Sequence, residues 1–310
     1  MNAPIDPSEL QDARDDRPAI ERDAPAKLNL ALAVAAPDAS GMHPICSWMV
    51  PIDLADHLSL LRLEDDRMSR YAILFADDAP MPSDIDWSIT RDLAVRAHRL
   101  LEERAGRSLP VQMKLTKHIP VGAGLGGGSS DAAATLLAVN TLFELGLSRD
   151  ELADCAALLG SDVAFFLDDS PAIVEGLGER ITPSPAIDFS AALVLPRFGC
   201  ATGAVYRAFD DDVPRAFREG DARLLAMNAV LDGATLFNDL AEPAMRVQER
   251  LREVVERVAD IAGRPAHVTG SGSAVFVVCD DHPSAEDLAD DLREALAPDA
   301  AAIACRSISA

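Results

Sequence analysis

The chain has 310 residues, of which 49% are apolar and 25% charged, as is typical of a globular protein with one large or two ordinary domains. Its formal net charge of −23 at pH 7 argues against nucleic acids and anionic membranes as partners, because both require a positive protein surface. A small anionic ligand is compatible with this charge, since loop amides and a helix N-terminus supply positive potential locally.

Neither a targeting segment nor a cysteine framework is predicted. The sequence has no apolar run long enough to span a membrane, and its first residues lack the hydrophobic segment of a signal peptide, so we expect a cytoplasmic protein. The five cysteines are scattered and form no CxxC pair. We therefore expect reduced thiols rather than disulfides or a zinc site.

The N-terminal third is predicted to consist of a tail and strands. Residues 1–22 are polar and acidic and contain three prolines, which predicts a flexible tail. The segment "AKLNLALAVAA" (26–36) alternates apolar side chains and predicts a strand. The segment "ICSWMVPIDLADHLSLLRLED" (45–65) predicts one or two further strands, with Pro51 at an edge or a bend.

Helices and strands alternate in the middle of the chain. Apolar spacing predicts a helix over residues 90–105, closed by Gly106. The segment "LPVQMKLTKHIP" (109–120) predicts a strand, and a glycine-rich loop follows it. The next helix is predicted over residues 130–145, ended by Gly146.

The remaining segments mix both kinds of element. Ser148 and Glu151 form a capping-box pattern for a helix, and "VAFFL" (163–167) predicts a strand or a buried apolar segment. Two prolines in residues 181–190 indicate a domain boundary. The second half contains a strand "AALVLP", a long helix "AMRVQERLREVVERVADIAG" (244–263), a strand–turn–strand unit "AHVTGSGSAVFVVCD" (266–280), a further helix and a last strand. This mixture predicts an α+β or α/β class.

The glycine-rich loop is the clearest functional signal. Five of the seven residues from Gly122 to Gly128 are glycine, which permits positive φ and close approach of backbone amides to a ligand. The helix that follows adds unpaired N–H groups and the positive end of its dipole, an arrangement suited to phosphate. Ser129 and Ser130 add hydroxyl donors or oxygen ligands for Mg²⁺. A tight turn without a ligand is the alternative, although one or two glycines would suffice for it.

Other phosphate-binding loops fit this segment less well. Gly122, Gly124 and Gly127 match GxGxxG literally, but the second strand and acidic residue of a dinucleotide fold do not follow. A Walker loop requires a lysine, and none follows Gly128. The partner motifs of a protein kinase are also missing from the sequence.

The segment "PVGAGLGGGSSDAAA" closely resembles the phosphate loop of the galactokinase, homoserine kinase, mevalonate kinase and phosphomevalonate kinase superfamily. Three further segments, "PAKLNLALAV" (25–34), "GSDVAFFL" (160–167) and "TGSGSAVFVV" (269–278), are similar to motifs of one family within it, the 4-diphosphocytidyl-2-C-methyl-D-erythritol kinases. The resemblance runs in order from about residue 23 to the C-terminus. It implies ATP-dependent phosphorylation of a small-molecule alcohol, with ATP and Mg²⁺ as cofactors.

The same resemblance implies a two-domain α+β fold. A ribosomal-protein-S5-like, ATP-binding domain is expected over residues 23–183, and a ferredoxin-like, substrate-side domain over residues 184–310. We expect a monomer or a weak homodimer.

The resemblance also implies roles for single residues. Asp162 is expected to accept the proton of the substrate hydroxyl, and Lys27 to steady that carboxylate. From the sequence alone, structural roles are favoured over catalysis: Asp162 would end a helical region and Lys27 would lie on a strand face. The residues expected to bind ATP are Pro120, Gly122, Gly124, Leu125, Gly126, Gly127, Gly128, Ser129, Ser130 and Asp92, with Ser130 also expected to bind Mg²⁺. The residues expected to bind the substrate are Asn29, Met42, His43, Tyr206, Thr269, Gly270, Ser271 and Gly272.

Within the substrate set, Asn29 and His43 are expected to hydrogen-bond a cytosine base, and Tyr206 to stack on it. Two residues depart from the family pattern. Met42 replaces a tyrosine that forms one wall of the cytosine site, and methionine packs on a base without ring stacking. Asp92 replaces an asparagine of the nucleotide-side helix motif, which puts an added carboxylate near the adenine. Two alternatives therefore stay open: a sister kinase that acts on another alcohol, and a non-catalytic ligand-binding relative.

Overall fold

The computed structural model of the protein describes residues 17–211, 216–229 and 231–308, so residues 1–16 of the predicted tail lie outside it. Its strands are β1 Ala19–Val34, β2 Ile45–Arg62, β3 Arg70–Phe75, β4 Val111–Lys117, β5 Ala172–Gly176, β6 Arg180–Pro183, β7 Ser190–Pro196, β8 Phe237–Asn238, β9 His267–Val268, β10 Val275–Cys279 and β11 Ala300–Arg306. Its helices are α1 Leu93–Ala105, α2 Gly127–Leu142, α3 Arg149–Ala157, α4 Thr202–Asp210, α5 Glu219–Asn228, α6 Ala241–Val247, α7 Glu249–Ala262 and α8 His282–Leu296.

The first sheet has seven strands, and the long antiparallel pair β1–β2 forms its centre. Strand β1 begins at Ala19, so the prediction that residues 19–22 belong to the tail is wrong. These four residues pair with Leu58–Leu61 of β2, and Ile20 packs against the core. This pairing is a tertiary effect that the polar sequence of residues 19–22 does not reveal.

Strand β2 changes partner along its length. Its first residues pair with β5 and its last residues with β4, and Pro51 lies between these two stretches. There the carbonyl of Pro51 accepts a hydrogen bond from the backbone N–H of Ile308. A proline has no N–H to donate, but neither β4 nor β5 pairs with Pro51, so no hydrogen bond to these strands is lost. Strand β2 therefore continues through Pro51, which the sequence predicted at an edge or a bend; the strand is interior, and Pro51 lies where neither β4 nor β5 pairs with it.

Helices α1 and α2 pack on the first sheet and enclose one hydrophobic core with it. Helix α2 begins at Gly127, three residues before the predicted start, because the last glycines of the loop already form its first turn. The capping box of Ser148 and Glu151 is present at the start of α3. The segment 163–167 is buried but forms a turn and a short 3₁₀ helix instead of a strand.

The second sheet has four antiparallel strands in the order β11-β7-β10-β9, with α8 packed on β7 and β11. Residues 184–189 connect the two sheets, within the predicted boundary segment. The long helix predicted over 244–263 is two helices, α6 and α7, separated by the extended residue Gln248. No described helix is both long and apolar enough to pass through a membrane.

The two sheets meet at β1. Strand β8 pairs with β1 in parallel, and the turn between β9 and β10 lies against the same strand through Thr269, whose hydroxyl accepts the backbone N–H of Asn29 at 3.0 Å. A second hydrophobic core contains side chains from both sheets, including Leu28, Trp48 and Phe276. This junction places the glycine-rich loop, β1 and the β9–β10 turn around one crevice.

Candidate functional site

A cavity of about 540 Å³ opens at this junction. The residues of the first sheet and its loops that line it include Lys27, Asn29, Met42, His43, Gly124, Gly126, Ser161, Asp162 and Leu177. Those from the second half of the chain include Thr202, Gly203, Tyr206, Arg207, Asp210, Gly270 and Ser271. The fold therefore brings the expected acid–base pair, part of the glycine-rich loop and most of the expected substrate-binding residues to one space.

Lys27 lies on β1 with a buried side chain. Its Nζ donates to the carbonyl oxygen of Gly124 at 2.7 Å and to Oδ1 of Asn29. Burial lowers the pKa of the Lys27 ammonium, and the negative charge of Asp162 opposes this shift. The lysine is thus a fixed cation between the strand and the loop, close enough to Asp162 to interact with its charge.

Most hydrogen-bonding positions of the Asn29 side chain are occupied by other residues of the protein. Its Oδ1 accepts from Lys27 and from the hydroxyl of Thr269 at 3.2 Å, and its Nδ2 donates to Ser47 Oγ at 2.8 Å. One amide N–H of Asn29 remains for a ligand. Thr269 is fully buried behind the cavity wall, and Gly272 lies in the same turn and outside the lining. The expected contacts of Asn29, Thr269 and Gly272 with substrate stay predictions.

Asp162 follows α3 in a turn and is partly buried. The β5–β6 turn packs directly against this segment: a Cβ added to Gly178, whose φ is +106°, would overlap the carbonyl oxygen of Ser161. Leu177 of the same turn lines the cavity. The position of Asp162 therefore depends on a close backbone contact that only glycine at position 178 permits.

One end of the cavity is aromatic. The rings of His43 and Tyr206 lie 5.0 Å apart at 39°, and Phe209 meets His43 edge-on at 5.8 Å. Nδ1 of His43 donates to the carbonyl oxygen of Ala35 at 2.9 Å, and its Nε2 lies 3.4 Å from Oδ1 of Asp210. Burial, with a smaller contribution from Asp162, raises the pKa of the Tyr206 phenol to about 12, so that the group stays a hydrogen-bond donor.

Met42 is 49% exposed at the mouth of this aromatic end. It is one of the residues that line the cavity. The structure thus places Met42, His43 and Tyr206 together, as the sequence predicted. Stacking of a base on them stays a prediction.

The glycine-rich loop has an alternating backbone. Gly122, Gly124 and Gly126 have φ of +70°, +79° and +77°, so every second residue is left-handed. Such a sequence of conformations turns successive N–H groups towards one concave side, where an anion binds. A Cβ at Gly124 would overlap the carbonyl oxygen of Thr269, and one at Gly126 would lie 2.7 Å from Phe166 Cζ. The loop therefore requires glycine for packing as well as for conformation.

The loop leads directly into α2. Gly126 is the N-cap and offers no side-chain acceptor, so no side chain occupies the N–H groups of the first turn, which includes Gly127, Gly128 and Ser129. Pro120 and Leu125 are buried beside the loop and support it from behind. The arrangement supplies an amide cradle and a helix dipole for a phosphate group.

Ser130 is the residue that the sequence predicted to bind Mg²⁺. Its Oγ is buried and lacks a hydrogen-bond partner. Among residues 17–211, 216–229 and 231–308, no group of three or more His, Cys, Asp or Glu side chains is arranged to hold a metal ion. Mg²⁺ in nucleotide sites often takes one or two protein oxygens and completes its shell with phosphates and water. The unpaired hydroxyl of Ser130 fits this requirement.

Asp92 is a helix cap. Its Oδ1 accepts the N–H of Ala94 at 2.9 Å and its Oδ2 accepts Nε1–H of Trp87 at 3.0 Å. Aspartate and asparagine cap helices about equally well, so the departure from the family pattern preserves the start of α1. The expected contact of Asp92 with ATP stays a prediction.

The sequence interpretation missed a buried charged cluster beneath the loop. Lys117 donates to carboxylate oxygens of Asp56 and Asp131, and Oδ1 of Asp56 accepts the backbone N–H groups of His118 and Ile119 at 2.5 and 2.8 Å. Burial would lower the pKa of Lys117, but the two carboxylates outweigh it and raise that pKa. The position of Lys117 on the apolar face of β4, two residues after Leu115, was the available signal.

The chain is similar to known proteins over most of its length. Residues 92–174 match the family described as GHMP kinases N terminal domain, and residues 215–298 match GHMP kinases C terminal. The 4-diphosphocytidyl-2-C-methyl-D-erythritol kinase of Caulobacter vibrioides (strain NA1000 / CB15N) is 37% identical over 291 residues, which cover 89% of this chain and 95% of that protein.

Two further similarities extend over most of the chain. The protein of the same name from Methylibium petroleiphilum (strain ATCC BAA-1232 / LMG 22953 / PM1) is 39% identical over 258 residues, covering 82% of this chain and 82% of that protein. A crystal structure of 4-(cytidine 5'-diphospho)-2C-methyl-D-erythritol kinase matches with a TM-score of 0.73 and 32% identity, covering 94% of this chain and 100% of that one. The predicted α+β kinase fold is confirmed.

Proposed function

Because the chain belongs to the 4-diphosphocytidyl-2-C-methyl-D-erythritol kinase family, we propose that it phosphorylates the 2-hydroxyl of that cytidyl alcohol with ATP, a step of non-mevalonate isoprenoid synthesis. The single observation that carries the proposal is that Lys27, Asp162 and Gly124 line the same cavity. A hydroxyl bound beside the lysine and the aspartate would face the loop that holds the phosphates. Phosphoryl transfer depends mainly on such positioning and on neutralisation of charge.

We assign Asp162 as the base that accepts the proton of the substrate hydroxyl. Its carboxylate lies in the cavity and would take the hydroxyl proton as the new P–O bond forms. Lys27 would hold this carboxylate and the hydroxyl in position through its fixed ammonium, because its Nζ is anchored by Asn29 and Gly124. The proton then leaves through Asp162, which is partly exposed to solvent.

The glycine-rich loop is the proposed ATP phosphate site. The amides from Gly122 to Ser130 would surround the phosphates at the N-terminus of α2. Ser130 would hold Mg²⁺ through its hydroxyl oxygen, and the metal would supply positive charge to offset that of the phosphates. The Lys117 cluster would keep the loop in place from below, since Asp56 holds the two residues that precede Pro120.

The aromatic end of the cavity is the proposed cytosine site. His43 and Tyr206 offer ring faces, Met42 an apolar cover, and the Tyr206 phenol a donor. This assignment places the base and the reacting hydroxyl in one cavity. We also infer that the protein acts in the cytoplasm on a small molecule, as a monomer or weak homodimer with a boundary near residue 183.

A phosphorylation assay tests the proposal. The purified protein is incubated with ATP, Mg²⁺ and 4-diphosphocytidyl-2-C-methyl-D-erythritol, and ³¹P NMR follows the new phosphomonoester. We expect turnover of this substrate. Turnover of a different alcohol alone would identify a sister kinase instead, and the absence of any ATP-dependent product with a panel of alcohols would favour the non-catalytic alternative.

A further inference from the structure

Asn238 is half-buried at the end of β8, and its side-chain amide is fully engaged with backbone groups. Its Nδ2 donates to the carbonyl oxygens of Val268 and Gly270 at 2.7 and 2.8 Å. Its Oδ1 accepts the backbone N–H of Leu240 at 2.9 Å. Two acceptors on one side and a donor on the other fix the orientation of this amide, and both of its hydrogens are used. Asn238 therefore holds the turn between β9 and β10 at two points.

Both segments that meet at the cavity, this turn and the glycine-rich loop, depend on glycine. In the turn, Gly270 and Gly272 have φ of +56° and +81°, and the loop alternates left-handed glycines. Glycine reaches many backbone conformations at little cost, so such a segment keeps one conformation only where its neighbours impose it. The two hydrogen bonds of Asn238, one on each side of Thr269, impose such a constraint from outside the turn.

The turn packs tightly on the glycine-rich loop. The backbone N–H of Ala274 donates to the carbonyl oxygen of Ala123 at 3.0 Å. A Cβ added to Gly124 would overlap the carbonyl oxygen of Thr269. One added to Gly270 would lie 3.0 Å from the carbonyl oxygen of Gly124. Because these atoms are already in contact, a shift of the turn would also shift the middle of the loop.

The same contacts extend to Lys27. Its Nζ donates to the carbonyl oxygen of Gly124 at 2.7 Å, and a Cβ at Gly270 would lie 3.2 Å from that nitrogen. The ammonium therefore lies beside both the loop and a residue whose carbonyl Asn238 holds. Strand β8 also pairs with β1, with Asn238 opposite Leu32. Asn238 thus ties the turn to the strand that carries Lys27.

We propose that Asn238, which lies behind the residues that line the cavity, is a positioning residue for phosphoryl transfer. By holding the carbonyls of Val268 and Gly270, its amide keeps the turn against the glycine-rich loop and fixes the loop relative to Lys27. This inference rests on the proposed function and adds a positioning residue to it. The transfer rate depends steeply on such alignment, because a misplacement of about 1 Å costs up to about a hundredfold.

Asn238→Asp tests the assignment, because it keeps the shape and the acceptor of the side chain but removes both donors. A carboxylate oxygen would then face the carbonyl oxygens of Val268 and Gly270 and repel them. In steady-state kinetics with ATP, Mg²⁺ and the cytidyl substrate, we expect kcat to fall at least about tenfold. Both KM values should change less than about threefold, since the substrate contacts themselves remain. Asn238→Gln keeps the two donors on a longer side chain and should recover part of kcat.

Asn140→Asp is the matched control. The amide of Asn140 also bridges backbone groups, since it donates to the carbonyl oxygen of Leu147 and accepts the N–H of the same residue, each at 3.0 Å. It lies about 20 Å along α2 from Gly127, the first residue of that helix. The substitution adds the same charge and should leave kcat as in wild type.

Circular dichroism would check that each variant folds. Where Asn238→Asp does not fold, Asn238→Ala serves in its place, because it removes the donors without adding a charge and should also lower kcat. A folded Asn238→Asp or Asn238→Ala protein with wild-type kcat, a loss in KM alone, or an equal loss of kcat in Asn140→Asp overturns the positioning role and leaves the kinase activity intact. If the wild-type protein phosphorylates no alcohol, the proposed function and this inference fall together.

Discussion

The ammonium of Lys27 donates a hydrogen bond to the carbonyl oxygen of Gly124 at 2.7 Å, which joins strand β1 to the middle of the glycine-rich loop. The backbone N–H of the same lysine donates to the carbonyl of Leu125 at 3.0 Å. Lys27 and the glycine-rich loop are therefore parts of one hydrogen-bonded unit. Their separation is set by the fold before any ligand binds.

Replacement of Lys27 by methionine should lower kcat/KM by about a hundredfold or more, because a preorganised donor at a reacting centre contributes about this much. Methionine has a similar length and fills the buried space, so the fold should persist. Steady-state kinetics would measure the loss, and circular dichroism would check the fold. A folded Lys27→Met protein with wild-type kcat/KM would remove the lysine from the mechanism.

Asp162→Asn should reduce kcat by about 10²–10⁴-fold and leave ATP affinity nearly unchanged, since the amide keeps the size of the side chain but accepts no proton. Pre-steady-state measurements would separate chemistry from product release. Asp210→Asn is a suitable control, because Asp210 also lines the cavity but lies at the aromatic end beside His43. A near-normal kcat in Asp162→Asn would exclude this residue as the base.

The sequence predicted elements best where the pattern is local. Strand β4 and the glycine-rich loop followed from alternation and from glycine content, and the structure shows both. The start of β1 at Ala19 and the break at Gln248 depend on pairing and packing with distant segments, which periodicity does not encode.

The site shows the same limit. The loop was recognisable from its glycines, whereas the cluster of Lys117, Asp56 and Asp131 depends on the packing of three separate segments of the chain. The close contact of Gly178 with Ser161 joins residues that the sequence gives no reason to pair.

That contact yields a prediction about positioning. Gly178→Ala would force the β5–β6 turn and the Ser161–Asp162 segment apart, because φ is +106° and the new Cβ would overlap Ser161. A displacement of about 1 Å at a reacting group costs up to about a hundredfold in rate, so we expect kcat to fall at least about tenfold. The KM for ATP should change little, since the loop is untouched.

Gly220→Ala provides the control for Gly178→Ala, because Gly220 has open space around it and no positive φ. Its kinetics should match wild type. Equal kcat values for the two alanine variants would show that the turn does not set the position of Asp162.

The buried cluster beneath the loop predicts a large effect on stability. Lys117→Met removes the cation that Asp56 and Asp131 share, and it leaves two buried carboxylates facing each other. Loss of one partner from a buried ion pair typically costs about 3–5 kcal/mol in the free energy of unfolding. Lys114→Met lies on the same strand with an exposed side chain and should change that free energy by less than about 0.5 kcal/mol. Urea unfolding at pH 7 would compare them, and similar losses would argue against the cluster.

His98 on α1 predicts how stability depends on pH. Its Nε2–H donates to the carbonyl of Leu109 at 2.8 Å, and its Nδ1 accepts from the hydroxyl of Tyr71 at 3.0 Å, so the ring is held neutral. Burial lowers the pKa of His98 below its usual 6.5, and the bond to Leu109 and the charge of Glu102 only partly oppose this. The unfolded chain therefore binds a proton more readily than the folded protein.

The free energy of unfolding should therefore fall as the pH drops below about 6.5. His98 should contribute no more than about 1.4 kcal/mol per pH unit to this fall. Above that pH, His98 should contribute nothing to the pH dependence of the free energy of unfolding. Chemical denaturation of the wild-type protein and of His98→Gln between pH 5.5 and 7.5 would measure the slope. Glutamine does not titrate, so the variant should lose part of the acid dependence even if it is less stable throughout. Because burial also lowers the pKa of His267, some dependence should remain in His98→Gln. Identical slopes for the two proteins would mean that His98 takes up its proton without opposing the fold.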